Sequence, residues 1–229
     1  MCGRYVAALD FDALVEEFEI TRVPVERLSA DYNVAPTKRV YLIAEEPKND
    51  QLGRALEIAR WGLIPAWSKD RSRAARTINA RVETIAEKPS FRSAFASRRC
   101  LIPASGYYEW SGPQKQPYYI HAADGAPLAM AGLFEWWRDK SVPESDPGAW
   151  TVSCSIITTA ANSELTQIHD RMPILVAPGD RAGWLATARL GPAALAGLTA
   201  PVPLAAHPVS TAVNKVSNFG PGLIAGDAE

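Results

Sequence analysis

The sequence has few of the residues that usually mark an active centre. Its 229 residues include three cysteines, at positions 2, 100 and 154, and three histidines, at 121, 169 and 207. An odd cysteine count without C-x-x-C spacing argues against a disulfide framework and a cysteine-held zinc ion, and fits a reducing, cytoplasmic setting. There is no H-E-x-x-H pair, no G-x-x-x-x-G-K-[ST] loop and no G-x-G-x-x-G turn, so neither a metal nor a cofactor is expected. Long apolar runs are missing too. The uncharged stretch 190–209 is broken by Pro192, Pro201, Pro203 and Pro208 and cannot cross a bilayer as a helix; no signal-peptide pattern opens the chain. No membrane partner is expected.

Excess charge is absent as well, with 24 Lys and Arg against 25 Asp and Glu, which at face value excludes a basic nucleic-acid binder. The balanced total hides a split. Residues 60–99 hold ten basic and three acidic groups, and 17 of the chain's 24 basic residues are Arg. The guanidinium fork suits phosphate oxygens and stacking. A chain of neutral total therefore carries one candidate anion-binding face, whose ordinary alternative is a solvated, salt-bridged surface.

With 47% apolar and 21% charged residues the chain is neither disordered nor a coiled coil, and its length suits one domain, 1–229, with a substantial core. Phe11, Leu14, Val15 and Phe18 recur at helical spacing behind Asp10, which predicts a short helix over 11–19. Short β-prone runs then dominate: 40–44, 56–61, 100–103, 107–110, 118–121, 128–137, 150–159 and 174–177. Ser111-Gly112-Pro113 and the residues to Gln116 read as a hairpin loop. Helical pieces are expected at 82–86, 91–96, 163–168, 181–186 and 193–198. Strands outnumber helices without alternating with them. This predicts an α+β fold, β-rich and mainly antiparallel, with several short helices. Residues 141–149, with Pro143 and Pro147, read as a loop insertion, and 221–229 as a flexible tail.

The chemistry is sparse but distinctive. Cys2 follows the initiator Met, and loss of Met1 would leave an α-amine and a thiol on one residue. With reference pKa values of about 7.7–8.0 and 8.5, useful fractions of both are nucleophilic near neutrality. Such an aminothiol condenses with an aldehyde to an imine, which the thiolate closes to a thiazolidine ring. Alternatively the thiol attacks an acyl carbon with the amine as its base. Cys100 and Cys154 lie within apolar runs and read as core. Two groups suit proton transfer: Glu109, flanked by aromatics in Gly106-Tyr107-Tyr108-Glu109-Trp110, where burial would raise its pKa, and His169 in His169-Asp170-Arg171-Met172-Pro173. Asn79 suits orientation of a reacting group, or equally a helix cap. Trp61, Trp67 and Trp110 with the Arg series supply the stacking and phosphate-neutralising groups of a single-strand binder, although a Trp reads equally as core.

Taken together, the sequence resembles the SRAP family, named for SOS response-associated peptidase. The resemblance is carried by Met1-Cys2-Gly3-Arg4-Tyr5, Tyr32-Asn33-Val34-Ala35-Pro36-Thr37, Arg60-Trp61-Gly62-Leu63-Ile64-Pro65-Ala66-Trp67, Asn79-Ala80-Arg81-Val82-Glu83-Thr84, Arg99-Cys100-Leu101-Ile102-Pro103-Ala104, Gly106 to Trp110, His169 to Pro173, and Val209 to Asn214. It runs in one order from residue 1 to about 220. It implies a β-rich domain that binds single-stranded DNA and crosslinks to the open aldehyde of abasic sites through Cys2, shielding them during replication. By that resemblance Asn79 holds the N-terminal residue, Glu109 is the general acid/base and takes part in crosslink reversal, and His169 assists imine and ring chemistry. Arg4, Arg81 and Arg171 become phosphate contacts, Trp67 and Trp110 stack or wedge beside the lesion, and Asn33, Pro36 and Thr158 face the DNA. Self-processing of Met1, a monomeric state and a cytoplasmic, nucleoid-associated location complete the expectation.

Three other readings share these residues. An N-terminal-nucleophile glutamine amidotransferase also opens Met-Cys-Gly, but nothing beyond those three residues matches it. A non-covalent single-strand or modified-base binder would use the same Arg and Trp residues with Cys2 incidental. A thiol peptidase would use Cys2 with Glu109 and His169.

Overall fold

The computed structural model describes residues 2–48, 51–186 and 202–226. In chain order the elements are β1 (Arg4–Ala7), α1 (Phe11–Glu17), β2 (Ile20–Arg22), β3 (Asp31–Val34), β4 (Arg39–Lys48) and β5 (Gln51–Trp61). There follow β6 (Asn79–Arg81), α2 (Arg92–Ser97), β7 (Arg99–Ala104), β8 (Gly106–Ser111), β9 (Gln116–Ala122) and β10 (Leu128–Arg138). The last are β11 (Trp150–Ala160), β12 (Arg171–Pro173), α3 (Arg181–Leu185) and β13 (Leu204–Pro208). The α+β, mainly antiparallel fold read from the sequence is the one observed.

Two sheets form. The smaller runs β13-β9-β8-β1-β3 and is antiparallel throughout. The larger runs β12-β11-β10-β7-β4-β5-β2, and a further parallel pairing of β11 with β5 closes five of its strands into a ring. Alternation along β4 explains how the layers share it: Val40, Leu42 and Ala44 enter the apolar cluster shared with the smaller sheet, whereas Ile43 faces the cluster that holds α1, α2 and α3. The first cluster joins Tyr5, Val34, Tyr107 and Ile120 of the smaller sheet to Trp61, Ile102, Met130 and Cys154 of the larger. Cys2 is part of it.

Asp10 caps α1 by accepting from the Asp12 and Ala13 amides, each at 3.0 Å, as its position ahead of the apolar periodicity predicts. Buried Arg181 ties α3 to the end of α1 through the Glu17 carbonyl and carboxylate, at 2.9 and 2.7 Å. Cys100 and Cys154 are core residues, as expected. No helix among the described residues is long and apolar enough to cross a membrane.

Four local expectations are corrected. Residues 174–177 do not form a strand. The strand is β12, three residues earlier, because the segment changes partner after Pro173: 171–173 pair with β11, the Ile174 N–H still donates to Ile157 of β11 while its carbonyl accepts from Ala131 of β10, and the Val176 N–H donates to Ala129 of β10. Residues 163–168 form turns rather than a helix. Asn162 Oδ1 takes the Leu165 amide at 2.9 Å, and mixed three- and four-residue bonds end the segment at His169. Residues 82–86 shrink to a 3-10 turn, Val82–Thr84. Within the expected tail, Pro221–Ile224 is a 3-10 turn with Leu223 buried, and Val209 bridges Gly226. The helix expected at 193–198 lies outside the described residues, as do 227–229. Residues 141–149 are a loop.

Gly62 ends β5 at φ +128°, and a Cβ there would lie 2.3 Å from the Ala74 carbonyl oxygen. Backbone conformation and space both exclude a side chain. Gly62→Ala is expected to destabilise the protein by about 2 kcal/mol or more, seen as a lower urea midpoint with an unchanged m-value; an unchanged midpoint would contradict this.

Candidate active site

The site is built on the buried start of the chain. β1 lies between β8 and β3, with Arg4, Tyr5 and Val6 paired to Tyr108, Tyr107 and Gly106. This pairing draws Cys2 to 0% exposure. β6 runs parallel to β11, Ile156 opposite Asn79, and brings the Asn79 amide to the Cys2 carbonyl, with Nδ2 donating at 2.8 Å. A residue 77 positions away therefore holds the backbone of the second residue. The other Asn79 amide atom, Oδ1, is buried without a hydrogen bond.

Glu109 is on β8, two residues from Tyr107 and so on the same face. Its carboxyl is almost fully buried, and burial pushes its pKa up to about 7. His169 arrives from the turn after β11, with Nε2 3.8 Å from Glu109 Oε2. Its Nδ1 lies 2.9 Å from both the Arg171 backbone nitrogen and Asp170 Oδ1, and the other nitrogen of the neutral ring faces Glu109. Burial lowers the His169 pKa and favours that neutral form. The Cys2 thiol is pushed up by burial and then by the Glu109 charge, while the Arg4 backbone N–H at the sulfur works the other way. The sulfur therefore needs a base to become a nucleophile, and a carboxyl titrating near neutrality stands within its field.

The structure thus gathers Cys2, Asn79, Glu109 and His169, which are far apart in sequence. It adds two aromatics to which the sequence reading gave no chemical role. Tyr5 and Tyr107 are Cα partners across β1 and β8, both are buried, and neither hydroxyl has a hydrogen bond. Each feels the Cys2 charge, and Tyr107 also that of Glu109. Buried hydroxyls normally find partners, so this pair gives the cavity unmet hydrogen-bonding capacity. The discernible signal was the alternation Tyr107–Glu109, which places the two side chains on one face.

The residues assigned to DNA divide into two groups. Trp67 is 64% exposed on the turn Pro65–Ser68. That loop is closed at its neck by Leu63 and Thr77, Thr77 Oγ1 donating to the Leu63 carbonyl at 2.6 Å, two residues before Asn79. Arg71, Arg73 and Arg76 are exposed on the same excursion, and Arg81 is exposed at the end of β6. Arg98 and Arg99, by contrast, are spent internally: Arg98 pairs with Glu135, and buried Arg99 bonds the Trp184, Phe95 and Ala186 carbonyls. Pro36 is half-buried in the turn to Lys38.

Arg4 and Arg171 are tied into the fold. Arg4 Nη1 donates to Asn33 Oδ1 at 2.6 Å and the Val213 carbonyl at 2.8 Å, and its guanidinium lies 6.0 Å from the Trp110 ring centroid. Trp110 Nε1 donates to Asn214 Oδ1 at 2.7 Å. Arg171 makes a two-point pair with Glu83 and donates to the Thr158 carbonyl. Asn33 and Thr158 are fully buried, so their side chains present no surface to a ligand in this conformation. The Asn33 amide instead donates to the Val213, Lys215 and Asn218 carbonyls. Of the three arginines assigned to phosphates, Arg81 alone has an exposed side chain outside such a network. Among the described residues no cluster of His, Cys, Asp and Glu suited to a metal is found.

The family model described as "SOS response associated peptidase (SRAP)" matches residues 1–216. The chain belongs to the SRAP family. Among curated relatives, SRAP chains named abasic site processing protein recur. YoqW of Bacillus subtilis is 38% identical over 98% of this chain and 99% of its own, and YedK of Escherichia coli is 32% identical over 98% and 99%. HMCES of Xenopus tropicalis is 34% identical over 77% of this chain and 58% of its own. A solved structure of a Bacteroides thetaiotaomicron protein superposes with a TM-score of 0.83 at 28% identity, covering 99% of this chain and all of that one.

The buried carboxyl makes a testable demand on the fold. Glu109 titrates near 7 when folded and near ~4.3 when unfolded. Between these values the folded chain holds more protons, so stability falls as pH rises and levels off above 7. Glu109→Gln removes that slope and is expected to exceed the parent by about 3 kcal/mol at pH 8, with little difference near pH 4. Urea titrations at both pH values check this; parallel pH profiles would contradict it.

Proposed function

We propose that the protein, once Met1 is removed, captures abasic sites in single-stranded DNA as a covalent thiazolidine on Cys2. The observation that carries this reading is the Asn79–Cys2 hydrogen bond of 2.8 Å, which fixes an N-terminal aminothiol beside a buried carboxyl that titrates near neutrality. The names of the relatives supply the substrate class, abasic sites, and the open sugar of such a site supplies the aldehyde that an aminothiol requires.

The chemistry balances on Glu109. The neutral α-amine adds to the aldehyde carbon to give a carbinolamine. Protonated Glu109 donates to its hydroxyl, water leaves, and an iminium forms. The Glu109 carboxylate then takes the thiol proton, sulfur bonds to the iminium carbon, and the nitrogen becomes the ring amine. One water is released and Glu109 ends protonated. A group with pKa near 7 can do both transfers near neutral pH. The His169 ring stands beside the carboxylate between them, 3.8 Å away, and Asn79 holds the reacting residue in place, where loss of position alone is costly. The same proton transfers run backward return the aldehyde and the free terminus.

Trp67 and Trp110 offer rings for bases beside the lesion, and Arg81 an exposed charge for a phosphate. Arg4 and Arg171 act from inside the fold, holding Asn33, Val213, Glu83 and Thr158 in place beside the site.

A single-stranded oligonucleotide with one abasic site is expected to give a shifted band with the parent on a denaturing gel and none with Cys2→Ala. Asn79→Ala is expected to slow the reaction by about a hundredfold. No band from parent protein shown by mass to lack Met1 would sink the proposal. Arg81→Ala is expected to lower the slope of log affinity against log salt by about one; an unchanged slope would remove Arg81 from the phosphate contacts.

A further inference from the structure

Residues 209–226 cross the end of the smaller sheet and touch the site at two points. The Val213 carbonyl accepts from Arg4 at 2.8 Å, and Asn214 Oδ1 accepts from Trp110 at 2.7 Å. The segment is firmly held. Val213 and Leu223 are buried, Asn218 Nδ2 donates to the Ala212 carbonyl at 2.8 Å, and the Asn33 amide reaches the Val213, Lys215 and Asn218 carbonyls from below. Out of this pinned loop stand Phe219, 86% exposed, Val216, 46% exposed, and the exposed Lys215. The family match ends at residue 216, so Phe219 lies beyond it.

A large aromatic on a mobile tip needs no explanation, but here the adjoining carbonyl is fixed by a fully buried asparagine whose own Oδ1 is bonded to Arg4. One chain of contacts runs from the exposed ring through Asn218, Asn33 and Arg4 to Trp110. Lys215 is the sole Lys or Arg among residues 202–226, and no Asp or Glu lies there. An exposed apolar ring four residues from the one cation of an acid-free segment matches a nucleobase with its phosphate: every base offers a face to stack, and the cation meets the backbone.

We infer that Phe219 and Lys215 form a second single-strand subsite, beyond Trp110, where Phe219 stacks on an unpaired base several nucleotides from the lesion and Lys215 meets a neighbouring phosphate. The inference rests on the single-strand reading above and deepens it. The subsite adds affinity for longer strands and leaves the chemistry at Cys2 untouched.

The test uses the full chain with a non-reactive tetrahydrofuran analogue of the abasic site, in strands that are long on both sides or trimmed from one end. Parent affinity is expected to drop when one particular arm is shortened. Phe219→Leu is expected to weaken the long strand by about tenfold, to leave the trimmed strand unchanged, and to crosslink a trimmed abasic strand at the parent rate. Phe219→Trp restores long-strand binding, and Lys215→Gln lowers the salt slope for the long strand by about one. A Leu variant that binds every length like the parent, or weakens all lengths equally, overturns the subsite; a parent that still crosslinks then leaves the abasic-site reading standing. A parent that neither binds nor crosslinks any strand overturns both.

Discussion

The hydrogen bond from Asn79 to the Cys2 carbonyl is the constraint on which the rest of the site depends. Chain ends usually fray, and an aminothiol on a fraying end would react anywhere or nowhere. Here β1 is an internal strand of its sheet, Cys2 is enclosed in the core between the two sheets, and the carbonyl is held from β6 of the other sheet. Burial then has two opposed effects. It raises the Cys2 thiol, which makes the sulfur inert without a base, and it raises Glu109 to about 7, which makes that base available near neutral pH. One desolvated cavity restrains the nucleophile and tunes its partner.

The same economy governs the arginines. A local excess of positive charge at 60–99 suggested a phosphate-binding face, yet Arg98 and Arg99 serve the core, and exposed Arg71, Arg73 and Arg76 sit on the loop that carries Trp67 and ends beside Asn79. Arg4 and Arg171 donate internally, to Asn33, Val213, Glu83 and Thr158. They shape the groove by fixing the segments that line it, which is why net charge is a poor guide to what this chain binds.

Much of the architecture was legible because the β-prone runs at 100–103, 107–110, 118–121, 128–137 and 150–159 survive into observed strands, and because Asp10 marks the start of α1 as an N-cap should. Failures had two causes: long-range bonds draw Ile174 and Val176 to β10, and local bonds from Asn162 and Leu165 keep 163–168 a set of turns that delivers His169 to Glu109. Cys2, Asn79, Glu109 and His169 each have an ordinary reading alone, and their common purpose was legible through the family pattern. The internal duties of Asn33, Arg4 and Arg171 were not legible, because their partners lie up to 209 residues away. The Tyr5 and Tyr107 hydroxyls were hidden for another reason: an aromatic in a strand looks like packing until its unsatisfied oxygen is seen.

The most direct test of the central claim is the bonding at the captured carbon. An abasic strand labelled with 13C at the sugar C1′ is reacted with protein lacking Met1, and the adduct is observed by NMR. The account predicts a tetrahedral carbon bonded to both nitrogen and sulfur, its resonance lost with Cys2→Ala. A planar imine carbon as the final state, or a carbon bonded to a lysine elsewhere in the chain, would contradict it.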